Sequence, residues 1–404
     1  MKKTLQILDW FLLGTFFLYP IIFMGIDYKI INVARFVWSI ILPVFVVWLV
    51  FNYRRYDVKQ AGDFLIPFLP VIISAIILSF YHQKSIEMDI VPKMIILGIA
   101  SGALPAIYKK GTVYIVNSVF CFVALFWMIV FIFQNGVYNY ANNFAASVVH
   151  QNEIYMMLVL MSGVSLLSSQ GAFGKEKIFH LLAGLAGLGA VILTQARGAL
   201  LDILVLFPFF FFTSRISLKA KIQILFAVVL MSIAVLYVTN GFSGKMSRIF
   251  SEITLWMEGK GQATSIGARL SLWYAGLVDI FPHFPWMGTG VKEGQLGDLA
   301  KMVVLTARPG WTIDMLPHFH NDLVQILVKG GIFYTTAGIA SLVLLTAKYK
   351  KHIIILWMIA CALASGLTEH FYFQPRVFIF FALILVLLDA DIHKERQDPR
   401  VLAT

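Results

Sequence analysis

Runs of roughly twenty apolar residues, almost free of charge, recur along this chain, and they leave a bilayer as its solvent. A hydrocarbon core about 30 Å thick is crossed by about 20 helical residues. Inside it every backbone N–H and C=O has to be satisfied by the protein, so only helices and closed barrels cross. These runs are long and continuous, without the period-two alternation of an outer-membrane barrel, so helices are expected. Composition agrees. Of 404 residues, 59% are hydrophobic and 13% charged, against about 25% charged in soluble domains. The mean hydropathy is +0.82. The expected fold class is an all-α polytopic membrane protein.

The pattern predicts about twelve spans, at 5–25, 30–51, 64–80, 91–107, 112–134, 153–170, 177–194, 198–213, 221–240, 321–347, 352–368 and 371–388. Pro20, Pro43, Pro67, Pro70, Pro105, Pro208 and Pro375 fall in or beside them as kink points. Lys and Arg alternate in density from one connection to the next. Lys2/Lys3, Arg54/Arg55/Lys59, Lys109/Lys110, Lys175/Lys177, Arg215/Lys219/Lys221, Lys348/Lys350/Lys351 and Lys394/Arg396/Arg400 form the dense set. The positive-inside rule places these in the cytoplasm, with both termini there too, which an even number of spans allows. The other connections then face outward, in a bacterium to the periplasm. No ATP or nucleotide sugar is present there, so a transferase on that side must use a donor already activated, such as a lipid-linked one.

The net charge of +11 is accounted for by these cytoplasmic loops and does not call for nucleic acid. Cys121 and Cys361 both lie inside apolar runs, which points to neither a disulfide nor a zinc site. Met1-Lys2-Lys3 opens like a signal peptide, but no small-residue cleavage pattern follows, so a retained first helix is expected.

Three regions result: helices over 1–240, a soluble loop over 241–320, and helices with a short tail over 321–404. In the loop, Met246, Ile249, Phe250, Ile253 and Trp256 recur at helical spacing, as do Ile266, Leu270, Trp273, Leu277 and Ile280/Phe281. Two short helices packing on each other and on the membrane surface are expected. Pro282 to Gly290 is turn-rich and aromatic, which suits an interface. No phosphate-loop motif, internal repeat or low-complexity tract is present.

A few polar residues on the outward side could carry chemistry. Arg197 sits in a short turn between two spans. It either snorkels to lipid phosphates or binds an anionic ligand through its planar fork of donors. Arg269 follows Ser265, which can cap a helix with Arg269 in its first turn. An arginine there opposes the helix dipole unless an anion is bound, and a plain surface arginine is the alternative. In Pro317-His318-Phe319-His320-Asn321-Asp322, the imidazole of His320 can serve as a general base or as a structural histidine at a helix start. His318 and His320 alone are too few ligands for a metal site. Asn321 and Asp322 can cap the helix that follows. Arg35, Glu153, Lys329, Glu369, His370 and Arg376 are costly in lipid and are expected to face the bundle interior. Glu369-His370 and His150-Gln151-Asn152-Glu153 either pair helices or line one cavity.

Three short motifs in this order resemble the O-antigen ligase family and its polymerase–ligase superfamily. They are Gln195-Ala196-Arg197-Gly198, then Gly267-Ala268-Arg269 with Trp273 and Pro285-Trp286-Met287-Gly288-Thr289-Gly290, then His320-Asn321-Asp322-Leu323 with Lys329-Gly330-Gly331. The likeness covers the whole topology and is sharpest from about 190 to 335. The family often carries an acidic residue where this chain has Lys329. The resemblance implies a C-type membrane glycosyltransferase, inverting and metal-independent, with no cofactor, in the bacterial inner membrane. Its donor would be undecaprenyl-pyrophosphate-linked O-antigen and its acceptor a sugar hydroxyl of lipid A–core. It casts Arg197 and Arg269 as pyrophosphate binders and His320 as acceptor base, with His318, Asn321, Gln195 and Trp273 as accessory residues. An O-antigen polymerase shares these motifs. A protein O-oligosaccharyltransferase and a transporter stand further off, the latter because no intramembrane charge relay or inverted repeat is visible.

Overall fold

The computed structural model describes residues 6–15, 40–83, 91–135, 151–194, 198–213, 250–260, 264–291, 293–307, 319–368 and 375–397, with a few more between 217 and 230. Among the described residues there are helices and turns and no strand. In chain order the helices are α1 (6–15), α2 (Leu42–Asn52), α3 (Val58–Tyr81), α4 (Val91–Ser101), α5 (Thr112–Asn135), α6 (Gln151–Ser168), α7 (Gly174–Leu193) and α8 (Gly198–Thr213). The loop region follows with α9 (250–257), α10 (Ser265–Tyr274) and α11 (Glu293–Ala307). Last come α12 (Asp322–Lys348), α13 (Ile353–Thr368) and α14 (Pro375–Gln397).

Among the described residues, four helices are long and apolar enough to cross a membrane: α3, α5 over Thr112–Gln134, α7 and α12. α3 tightens to a 3-10 turn at Ile66–Phe68, where Pro67 lies inside the helix without an N–H to give. The helix expected over 91–107 stops at Ser101 and resumes for one turn at Leu104–Ile107. The turn at Gly102 accepts the Asp57 N–H at 2.8 Å, drawing the 56–57 connection against it. The last helix runs on to Gln397, well past the expected end at 388. The expected span 221–240 and Arg35 lie outside the described residues.

α6 is the centre of the bundle and touches α5, α7, α8, α13 and α14. Lipid is as apolar as Leu, so polar contacts and close packing hold such helices together. Asn117 donates to the Met161 carbonyl at 2.6 Å and to Ser165 Oγ at 2.9 Å, and Ser118 Oγ meets His180 Nδ1 at 2.7 Å. At one end of the bundle Asp389 gathers three helices. Lys348 Nζ lies 3.0 Å from it, Tyr349 donates to it at 2.6 Å, and the Gln60 amide donates to its other oxygen.

The loop region has its own core. Leu272, Ala275, Ile280, Leu296, Ala300 and Val304 enclose Phe319, Val324 and Val328, so the start of α12 belongs to that core. The two expected loop helices do pack on each other: Trp256 donates its indole N–H to Ser271 Oγ at 2.9 Å, and Glu252 accepts the Ile266 N–H at 3.0 Å. α11 was not foreseen, although Leu296, Leu299, Ala300, Val303 and Val304 recur at helical spacing.

α12 is broken. Gly331, at φ 65° and ψ −165°, occupies backbone space that is essentially glycine-only. The groups freed by the break are taken up by the 285–290 segment. Val328 and Lys329 carbonyls accept from Thr289 and Gly290 at 2.8 and 3.0 Å, and the Ile332 and Phe333 N–H groups donate to Pro285 and Trp286 at 2.8 and 3.1 Å. Gly288, at φ 65°, passes so close that a Cβ there would lie 2.4 Å from the Lys329 carbonyl. Below the break, α12 runs antiparallel to α3. Lys348 donates to the Asp63 carbonyl, Ser341 accepts from Val71 N, and at the top His82 meets the Met287 carbonyl. From Asp63 to His82 a helix rises about 29 Å, one hydrocarbon core.

Above the break, α12 folds over the bundle. Between Lys348 and Ile332 it rises about 24 Å, and α13 rises about 21 Å from Ile353 to Leu367. Ile332 and Leu367 are therefore at similar heights. Yet the Leu367 carbonyl accepts from Asn321 at 3.0 Å, and a straight α12 would carry Asn321 about 16 Å higher than Ile332. The half-helix 322–330 lies across the end of the bundle.

Gly331→Ala should lower the thermal unfolding midpoint of the full chain in detergent. The new Cβ would sit 2.4 Å from the Trp286 carbonyl, and the backbone strain alone is about 1–3 kcal/mol. Gly338→Ala, with open space around it, is the control. Equal midpoints for the two variants would sink this account of the break.

Candidate active site

His320 is held from both sides. After it, Asn321 caps α12: its Oδ1 accepts from Val324 N at 3.1 Å and its carbonyl from Gln325 N at 3.0 Å. The amide of the same residue is tied to Leu367, so the helix start is pinned to α13. Before it, Phe319 is fully buried. Its carbonyl accepts the Trp273 indole N–H at 2.6 Å, and its N–H points to Gln325 Oε1 at 3.4 Å. α10 continues as a π-helical turn over Ala275–Ile280, a feature common near functional sites. Gly276 on that turn has no Cβ to strike Phe319 and Val324, each of which would lie 2.8 Å from one.

Between these anchors His320 adopts φ 50°, in the left-handed region. Histidine tolerates it better than most residues, at about 1–3 kcal/mol, and neighbours must over-determine it. The imidazole is half-buried.

Arg269 lies one turn before Trp273 on the same face of α10. The face that grips the residue preceding His320 therefore also presents Arg269. The cap of this helix is Thr264, whose hydroxyl accepts from Gly267 N at 3.1 Å, and not Ser265. Arg269 is consequently in the second turn, where the dipole weighs less against it.

Gln195, Arg197 and His318 lie outside the described residues, as do His150, Glu369 and His370. The helix that follows Arg197 is nonetheless well placed. Asp202, one turn into α8 and fully buried, accepts from Ser365 Oγ at 2.7 Å. Ser365 adjoins Gly366, against which the Asp322 carboxylate is seated, and Leu367, which holds Asn321. α8 and the His320 segment thus meet at the same end of α13. The other carboxylate oxygen of Asp202 has no hydrogen-bond partner among the described residues.

Lys329 and Glu153 are buried, as expected for charges in the interior. Sequence reasoning missed Asp202, Gln325 and His82. A lone carboxylate inside an apolar run, five residues after Arg197, was a readable signal for the first. Among the described residues no group of three or more His, Cys, Asp and Glu side chains is placed to hold a metal ion.

Trp273→Phe keeps an aromatic side chain, though a smaller one, and removes the donor, leaving the Phe319 carbonyl buried without that partner. A loss of about 1–3 kcal/mol is expected, together with faster modification of His320 by diethylpyrocarbonate. Unchanged stability and an unchanged modification rate would exclude Trp273 as the anchor.

No curated protein matches the chain. Residues 182–339 match the family model described as O-Antigen ligase. That stretch begins in α7 and ends in α12, so it takes in Arg197, the loop core, His320 and the break at Gly331. By this match the stretch 182–339, about two fifths of the chain, is similar to the O-antigen ligase family.

Proposed function

We propose that this protein is an O-antigen ligase of the bacterial inner membrane. It transfers O-antigen glycan from undecaprenyl pyrophosphate to a sugar hydroxyl of lipid A–core. The observation that supports the reading is that the segment bearing His320 is tied both to α10, which carries Arg269, and to the end of α13 on which the start of α8, just after Arg197 in sequence, is also bound.

The chemistry follows from those groups. His320 takes the proton from the acceptor hydroxyl as general base. The oxygen attacks the anomeric carbon from the face opposite the pyrophosphate, so configuration inverts. The bond from that carbon to the pyrophosphate oxygen breaks, and undecaprenyl pyrophosphate leaves. Charge grows on the leaving group, where the fixed cations Arg197 and Arg269 stabilise it most. Arginine suits this because its fork bonds two oxygens at once. The cations do the work that a metal would do elsewhere, so transfer should persist in a chelator.

The twelve-span topology, with the loop region in the periplasm, is part of this reading. The contacts at the far end of the bundle support it. Arg55 pairs with Asp9, Lys110 with Glu395, and Lys348 with Asp389, all away from the loop core. Basic residues gathered there agree with the cytoplasmic face that the positive-inside rule assigns.

Deletion should leave bare lipid A–core while polymerised lipid-linked O-antigen accumulates. Core carrying a single repeat would instead indicate a polymerase. His320→Ala should lower transfer by about 10²–10⁴ with donor binding retained, and full activity would end the base assignment. Arg197→Lys keeps the charge and removes the fork. If it transfers normally, bidentate binding by Arg197 is wrong.

A further inference from the structure

Trp286 is 71% exposed and Phe284 is exposed beside it, although the backbone of this segment is firmly bonded to α12. Hydrogen bonds fix the height at which these rings stand. Lys348 donates to the Asp63 carbonyl at 2.9 Å and Val71 N donates to Ser341 Oγ at 3.4 Å, so α3 and the lower arm of α12 rise together from one level. Above that level, Phe333 and Ile332 lie about 22 and 24 Å up α12. Their N–H groups donate to the carbonyls of Trp286 and Pro285. On α3, Phe80 and Tyr81 lie about 26 and 27 Å up. Both are exposed, Phe80 at 80%. These heights fall just inside the loop-side edge of a hydrocarbon core about 30 Å thick.

We propose that Phe284 and Trp286 form a wedge in the leaflet on the loop side, seated between acyl chains and headgroups, with phospholipid as the occupant of that face. Continuity selects lipid. α3 is long and apolar enough to cross a membrane, so the exposed rings at its end already stand in lipid. The wedge extends the same surface. His82 meets the Met287 carbonyl at 2.9 Å, and the Tyr81 ring stands edge-on to His82 at 4.9 Å. A partner protein seated on Trp286 would have to displace lipid from the end of α3 as well. Tryptophan suits such a boundary, because its ring is apolar while its indole N–H can bond to headgroups.

The wedge and the break share a residue. Trp286 offers its side chain to the leaflet, and its carbonyl accepts from Phe333, beyond Gly331. A ring held at one depth therefore holds the break at that depth, and with it the start of α12 and His320. This placement is independent of the activity assigned to His320.

Cys121 and Cys361 are buried, so a cysteine at position 286 can be spin-labelled selectively in the full chain. The labelled Trp286→Cys variant would be placed in nanodiscs of phosphatidylethanolamine and phosphatidylglycerol. Oxygen concentrates in hydrocarbon, whereas the polar complex nickel ethylenediaminediacetate stays in water. The control is Glu258→Cys, at an exposed loop position paired with Lys260. The ratio of oxygen to nickel accessibility should be roughly tenfold higher at position 286 than at the control, because a polar probe is excluded from an apolar medium. A ratio equal to that of the control would put the side chain in water and overturn the proposal. Low accessibility to both probes would show a protein partner or a second copy over it, and would overturn the proposal equally. Should Trp286→Cys fail to fold, Phe284→Cys carries the same test, with the same expected ratio and the same two refuting outcomes. The readout requires no transfer, so its failure and that of the ligase reading are separate results.

Discussion

A helix that breaks at a membrane surface must find new partners for the backbone groups it frees, because the bilayer offers none. In this protein the 285–290 segment supplies them, and much of the arrangement follows. Four backbone hydrogen bonds join it to residues on both sides of Gly331. They fasten the loop core to the bundle at the one place where α12 has no bonds of its own. His82, at the end of α3, adds a contact to the Met287 carbonyl at 2.9 Å. The break also lets the first turns of α12 lie across the bundle, where one face roofs a cavity and another enters the loop core. Asn321 then reaches α13, and His320 is stretched between two anchored neighbours. With a continuous helix, that imidazole would stand well above the membrane with no wall beside it.

Much of this was legible from local chemistry. Apolar runs announced the long helices, because burying them in lipid needs only composition and length. Asn321 read as a cap, since a short side chain before an apolar run can satisfy a free N–H. The period of Ile266, Leu270 and Trp273 announced α10. The break was not legible, because its compensation is non-local. Gly330-Gly331 sits in an apolar stretch that reads as uninterrupted helix, and the carbonyls that accept from beyond it come from Pro285 and Trp286. The two motifs looked like separate matches. They are the two halves of one backbone-paired junction. The roles of Asp202 and Gln325 were hidden for a related reason. Their partners, Ser365 and the Phe319 backbone, were not predictable from spacing along the chain.

The two ends of the bundle are held by different physics. At the far end, aspartates meet lysine, arginine and histidine: Asp389 with Lys348, Asp9 with Arg55, Asp57 with His393. At the loop end, uncharged groups hold the backbone on either side of His320. They are the Trp273 indole, the Asn321 and Gln325 amides, and backbone carbonyls.

The position of His320 is set through its backbone, by a carbonyl gripped on one side and a helix cap on the other. In the proposed reading, this fixes where the base stands relative to the start of α12 before an acceptor arrives, so the geometry of proton transfer does not have to be found anew at each turnover.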